Sequence, residues 1–129
     1  MKKHILVIDD EADIRELLRE VLTLKGYRVS TAADPEQAKK TVKEDPPQLI
    51  IMDFQIEQGD GFVLIEDLKG LGPKIPILLL TGALFDRNVV RDTIEKRVAC
   101  YLDKTASLST IVAEIERLLA DSPASSERL

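Results

Sequence analysis

Several polar residues stand where apolar runs stop, and together they could do chemistry. Asp9 and Asp10 end the run Ile5-Leu6-Val7-Ile8, and Asp53 ends Leu49-Ile50-Ile51-Met52. Thr81 ends the stretch from Ile75 to Leu80, and Asp103-Lys104 follows Val98 to Leu102. Three carboxylates brought together would repel and raise one another's pKa. A divalent cation relieves that repulsion. Carboxylate oxygens, a backbone carbonyl and retained waters suit Mg2+, which prefers octahedral oxygen coordination and phosphate. With a phosphoryl group added, each part has a role. Asp53 would attack phosphorus and carry an aspartyl phosphate. Mg2+ would neutralise the developing oxygen charge. The Thr81 hydroxyl and the Lys104 ammonium would bind the remaining oxygens, with Gly82 leaving room for the group to approach.

The elements that must position these residues follow from hydrophobic periodicity. Strands are expected at Ile5–Ile8, Tyr27–Ala32, Leu49–Asp53, Ile75–Leu80 and Val98–Leu102. The strand at 49–53 reads as central, because its four apolar residues leave no polar face. The strand at 27–32 alternates enough to be half-exposed. Helices are expected at about 12–25, from Pro35 to about Glu44, from near Asp60 to about Leu71, at about 86–96 and at about 107–120. Gly26 is a C-terminal stop, and Asp34-Pro35 is an N-cap followed by proline at the first helical position. The order is strand then helix, five times over. Such alternation implies a parallel α/β sheet with helices on both faces. All the polar strand ends then lie on one edge, with neighbouring strands about 4.8 Å apart.

Composition bounds the function. The 129 residues suit one domain over 1–120, with 121–129 as a flexible tail or linker. The net charge is −5 without a basic block, which argues against direct nucleic-acid binding by this domain. With Cys100 and His4 the sole residues of their kinds, neither an internal disulfide nor a zinc site is expected. Cys100 reads as a buried strand residue and His4 as a strand-edge residue without a ligand role. No apolar run approaches the roughly 20 residues of a membrane span, and a cytoplasmic location is expected.

At this point the sequence resembles the receiver domain of two-component response regulators, over about residues 3–120. The resemblance rests on Val7-Ile8-Asp9-Asp10-Glu11, Ile50-Ile51-Met52-Asp53, Asp60-Gly61, Leu79-Leu80-Thr81-Gly82 and Tyr101-Leu102-Asp103-Lys104. It implies a flavodoxin-like doubly wound sheet of five parallel strands in the order 2-1-3-4-5, with five helices. Asp53 matches the phosphate acceptor. Asp9, Asp10, Asp53 and the backbone carbonyl of Gln55 match the Mg2+ ligands. Thr81 and Lys104 match the switch hydroxyl and the phosphate-binding lysine, and Tyr101 the aromatic that turns inward on phosphorylation. Gln55 and Ala83 match two positions that tune phosphate lifetime. The resemblance also implies phosphoryl transfer from a sensor histidine kinase or phosphotransfer protein. Output would pass to an effector or fused output domain through the face of the helix at 86–96, the last strand and the last helix. A phosphorylation-dependent dimer is a further expectation. The domain would catalyse only its own phosphorylation and dephosphorylation.

The departures fall in loops. Thr105 stands where the family has a cis proline, so a trans bond is expected after Lys104. Glu57 replaces a proline four residues after Asp53, and Arg97-Val98 replaces a glycine before the last strand. These changes motivate one alternative, a receiver-like interaction module that works without phosphorylation. A dinucleotide enzyme would need a glycine-rich first turn, and Asp9-Asp10-Glu11 occupies that turn instead.

Overall fold

The computed structural model describes residues 2–53, 61–71, 74–81 and 98–120. In chain order the elements are β1 (His4–Ile8), α1 (Ala12–Leu24), β2 (Arg28–Ala32), α2 (Pro35–Glu44), β3 (Leu49–Asp53), α3 (Gly61–Gly70), β4 (Ile77–Thr81), β5 (Cys100–Asp103) and α4 (Leu108–Ala120). The five strands form one parallel sheet in the order β2-β1-β3-β4-β5. This is the expected doubly wound architecture. The described residues hold four helices; the helix expected at 86–96 lies outside them.

Strand side chains alternate between two cores, because successive residues point to opposite faces of a sheet. Leu6, Ile8, Ile50, Met52 and Leu79 pack with Ala38 and Val42 of α2 and with Leu64, Ile65 and Leu68 of α3. Ile5, Val7, Leu49, Ile51, Leu78 and Leu80 pack with Leu18 and Leu22 of α1 and with Ile111, Ile115 and Leu119 of α4. Every residue of β1 and β3 is buried. That accounts for their unbroken apolar runs, and each fully buried aliphatic chain contributes about 1.5–3 kcal/mol. β2 forms one edge of the sheet and is mostly half-buried, as its alternation predicts.

The helix ends follow local chemistry. Asp34 accepts from the Gln37 N–H at 2.9 Å, while Gln37 Oε1 reaches back to the Ala33 N–H at 2.9 Å. α1 closes in a Schellman arrangement: Gly26 N–H bonds the Thr23 carbonyl at 3.0 Å and Tyr27 N–H the Leu22 carbonyl at 3.1 Å. Gly26 takes φ +98 there, which favours glycine. Ser107 precedes α4, and its hydroxyl accepts from Thr110 N–H at 3.2 Å.

Four expectations shift. β4 begins at Ile77 instead of Ile75, because Pro76 offers no N–H to the ladder, while its carbonyl still accepts from Ile50 N–H at 3.0 Å. β5 runs two residues later at its start than expected, since its register pairs Leu78 with Cys100 and Thr81 with Asp103. His4 is not an edge residue. It opens β1, is 2% exposed and bonds Ser30 Oγ through Nε2 at 2.7 Å. Cys100 is half-buried, not buried, with Sγ 3.6 Å from Glu114 Oε2; burial and that carboxylate raise its thiol pKa.

Candidate functional site

The site lies at the carboxyl edge of β1, β3, β4 and β5. Asp9 follows β1 directly. Its N–H continues the β1–β2 ladder to the Ala32 carbonyl at 3.1 Å, and its own carbonyl accepts from Arg15 Nη1 at 2.7 Å. Asp9 Oδ1 accepts the Glu11 N–H at 2.9 Å. The backbone is therefore pinned from three sides and aims a carboxylate that is 1% exposed. Asp9 Oδ2 is buried without a hydrogen-bond partner. Burial, less the opposing Glu11 N–H and further aided by the Asp53 charge, pushes the Asp9 pKa up to about 6.

Asp53 ends β3 and is 2% exposed. Lys104 follows β5 and reaches across to it, with Nζ 2.9 Å from Asp53 Oδ2. The same ammonium lies 3.0 Å from Glu11 Oε1 and 3.5 Å from Asp9 Oδ2. Burial would lower the Lys104 pKa, but its hydrogen bonds to Asp53 and Glu11 outweigh that and hold it above the ordinary lysine value.

One oxygen from each of Asp9, Asp10, Glu11 and Asp53 lies within 4.8 Å of the others. Three of these acids, Asp9, Glu11 and Asp53, lie beside the Lys104 ammonium. Clustered hard oxygen donors, one of them a buried carboxylate oxygen lacking a hydrogen bond, fit a hard divalent cation. Mg2+ fits this donor set; zinc, which favours nitrogen and sulfur, does not.

The remaining expected residues fall as follows. Thr81 ends β4, one strand from Asp53 and one position beyond Leu80, its register partner. Tyr101 is half-buried on the α2–α3 side of the sheet. Gln55, Glu57, Asp60, Gly82, Ala83 and Arg97 lie outside the described residues. Among the described residues there is no cis peptide bond, so Lys104–Thr105 is trans as expected. Thr105 makes its own turn in place of the family proline. Its N–H and hydroxyl both bond Asp103 Oδ1, at 2.8 and 2.7 Å, and Ala106 N–H bonds the Asp103 carbonyl at 2.9 Å.

Sequence reasoning missed two participants. Glu11 had no role assigned beyond its place in the motif, yet its carboxylate accepts from Lys104 Nζ at 3.0 Å. Asp103 shapes the turn that presents Lys104. The signal available for Glu11 was its place directly after the acid pair; Asp103 showed only as the residue preceding the lysine.

Comparison with known proteins agrees with this fold. Residues 5–116 match the family model described as the response regulator receiver domain. The response regulator MprA of Mycobacterium tuberculosis (strain H37Rv) is 33% identical over 126 residues, covering 92% of this chain and 51% of that protein. MprA of Mycobacterium leprae (strain TN) is 34% identical over 123 residues, covering 90% and 50%. The chain thus spans about half the length of these curated relatives. The solved receiver domain of NtrX from Brucella abortus is 27% identical with a TM-score of 0.82, covering 92% of this chain and 99% of that one. A receiver domain protein from Clostridium thermocellum, 23% identical, shares the fold with a TM-score of 0.81 over 91% of this chain and 94% of that one. Among the described residues no helix is long and apolar enough to cross a membrane. The chain belongs to the response regulator receiver domain family of two-component systems.

Proposed function

We propose that this domain accepts a phosphoryl group on Asp53 from a phosphohistidine of a sensor kinase or phosphotransfer protein. The observation that carries the reading is the Lys104 Nζ–Asp53 Oδ2 contact of 2.9 Å beside the hydrogen-bond-free Oδ2 of Asp9. An Asp53 carboxylate oxygen attacks phosphorus, the P–N bond to the donor imidazole breaks, and the imidazole leaves with a proton. Asp9, Asp10 and Asp53, with the Gln55 carbonyl that the family resemblance implies, would hold Mg2+, which would offset negative charge on the phosphoryl oxygens. Lys104 turns from Asp53 to a phosphoryl oxygen, and the Thr81 hydroxyl binds another. Water later attacks phosphorus, releasing phosphate and restoring the carboxylate, so the domain acts on itself and turns over no other substrate.

The rearrangement of Thr81 draws Tyr101 inward and alters the face that includes β5 and α4. A downstream effector, a fused output domain or a second phosphorylated copy reads that face, in the cytoplasm. The receiver occupies residues 1–120, with 121–129 as a flexible tail or linker. The net charge of −5 favours protein partners over nucleic acid for this domain itself.

The test is incorporation of beryllofluoride, or of phosphoryl label from a phosphorylated kinase, in the presence of Mg2+. Stoichiometric uptake by the wild type and none by Asp53→Ala is expected. Failure of the wild type to label, or unchanged labelling in Asp53→Ala, would sink the reading. Partner capture should differ between the two states, and equal capture would instead support an interaction module.

A further inference from the structure

The Glu11 carboxylate has no role in the chemistry above, yet it takes part in the contacts of Lys104. Glu11 is the N-cap residue of α1 by position, but its side chain makes no capping bond. It reaches instead to a lysine 93 residues away in sequence, with Oε1 3.0 Å from Lys104 Nζ. Its backbone is fixed, since its N–H donates to Asp9 Oδ1 at 2.9 Å. Of the three acids around the ammonium it is the outermost: its side chain is 61% exposed, against 2% for Asp9 and 3% for Asp53.

An ammonium has three N–H donors. Asp53 and Glu11 take two of them at hydrogen-bond distance, and Asp9 lies further off at 3.5 Å. A phosphoryl group joined to Asp53 removes the charge of that carboxylate and presents its own anionic oxygens nearby. The ammonium is then shared between those oxygens and Glu11. We infer that Glu11 is a positioning residue: it tethers Lys104 at the rim of the site and competes for the ammonium with the phosphoryl group arriving on Asp53. The inference rests on the reading of Asp53 as the phosphoacceptor. The tether is releasable, because a pair this exposed to water is weak.

A tether and a merely structural residue respond differently to substitution. Glu11→Gln weakens the hold on Lys104, because a neutral amide oxygen replaces the carboxylate, and removes a negative charge, so an anion binds more tightly. The same change removes one acid from the cluster, so a cation binds less tightly. Loss of local structure would weaken both. The experiment titrates the full chain with Mg2+ alone, and then with beryllofluoride at saturating Mg2+, following amide resonances. For Glu11→Gln the half-saturating beryllofluoride concentration should fall about two- to fivefold, while that for Mg2+ rises by a similar factor. The gain in anion binding should shrink as salt is raised, as screening of the rim charge requires.

Glu11→Asp keeps the charge but is one methylene too short to hold the bond. It should bind Mg2+ as the wild type does and beryllofluoride more tightly. If the wild type binds beryllofluoride and both variants bind it equally well or more weakly, the tether is overturned while the proposed function stands. If the wild type does not bind it at all, both fall together.

Discussion

At the amino-terminal edge of the sheet His4, Arg28, Asp45 and Gln48 pair with one another, whereas at the carboxyl edge Asp9, Glu11 and Asp53 crowd around Lys104. Arg28 meets Asp45 through two hydrogen bonds, of 2.5 and 3.0 Å. His4 N–H bonds Gln48 Oε1 at 2.8 Å, and Gln48 N–H returns to the His4 carbonyl at 2.7 Å. There the polar groups close the seam between β1, β2 and β3. Each edge keeps one buried side-chain atom without a hydrogen bond, His4 Nδ1 at 3.9 Å from Asp45 Oδ1 and Asp9 Oδ2 at 3.5 Å from Lys104 Nζ, and the difference lies in the four acids clustered at the carboxyl edge. The same sheet thus has one edge where Arg28 is matched to Asp45 and one edge that is rich in carboxylates. A buried charge without its complement is costly, so it persists where function uses it.

The largest way to sharpen this contrast is to remove the ammonium at the crowded edge. Lys104→Met should destabilise the metal-free chain by about 3 kcal/mol. That is the low end for breaking a buried pair, because 21% of the lysine side chain stays in water. Mg2+ should restore much of this loss, because it supplies the missing positive charge. Chemical denaturation with and without Mg2+ reads both effects. A variant as stable as the wild type without Mg2+ would mean that the acids do not strain the fold.

The second prediction concerns pH. The folded-state pKa of Asp9 is raised from 3.8 to about 6, chiefly by burial. The native chain therefore binds more protons than the unfolded chain between these values. The contribution of Asp9 is fully present below pH 4 and is lost as pH rises through 6, by roughly 2–3 kcal/mol. Mg2+ displaces that proton, so its stabilising effect should grow from pH 5 to pH 7.5. Thermal melts at fixed Mg2+ measure this. A melting-temperature gain that does not change with pH would place Asp9 outside the cation site.

The two edges also differ in how far the sequence reveals them. The elements were legible because β1 and β3 are buried on both faces and the helices each bury one stripe. Their ends were less so: a proline without an N–H set the start of β4, and interstrand register set β5. The strand order came from the motif set, since periodicity carries no information about which strand lies beside which. At the carboxyl edge Asp9, Asp53 and Lys104 stood out as polar residues closing apolar runs. The Glu11–Lys104 contact did not, because it joins residues 93 apart and depends on where β5 docks. At the amino-terminal edge almost nothing was legible. His4 looks polar, and only the β1–β2 register, which sets His4 opposite Arg28 and Leu6 opposite Ser30, buries it.

The smallest expected effect tests whether that quieter edge is as separate as its pairing implies. Ser30 Oγ lies 2.7 Å from His4 Nε2, across the β1–β2 seam. Ser30→Ala leaves the imidazole nitrogen without this partner in a site that is 2% exposed. The cost should be about 1 kcal/mol, the usual contribution of one buried hydrogen bond between neutral groups. Beryllofluoride uptake at Asp53 should be unchanged, because Ser30 touches none of the carboxyl-edge groups. Denaturation and uptake measured on the same variant decide the matter. Altered uptake would show that strain travels along β1 from His4 to Asp9, and the two edges would then be one coupled system.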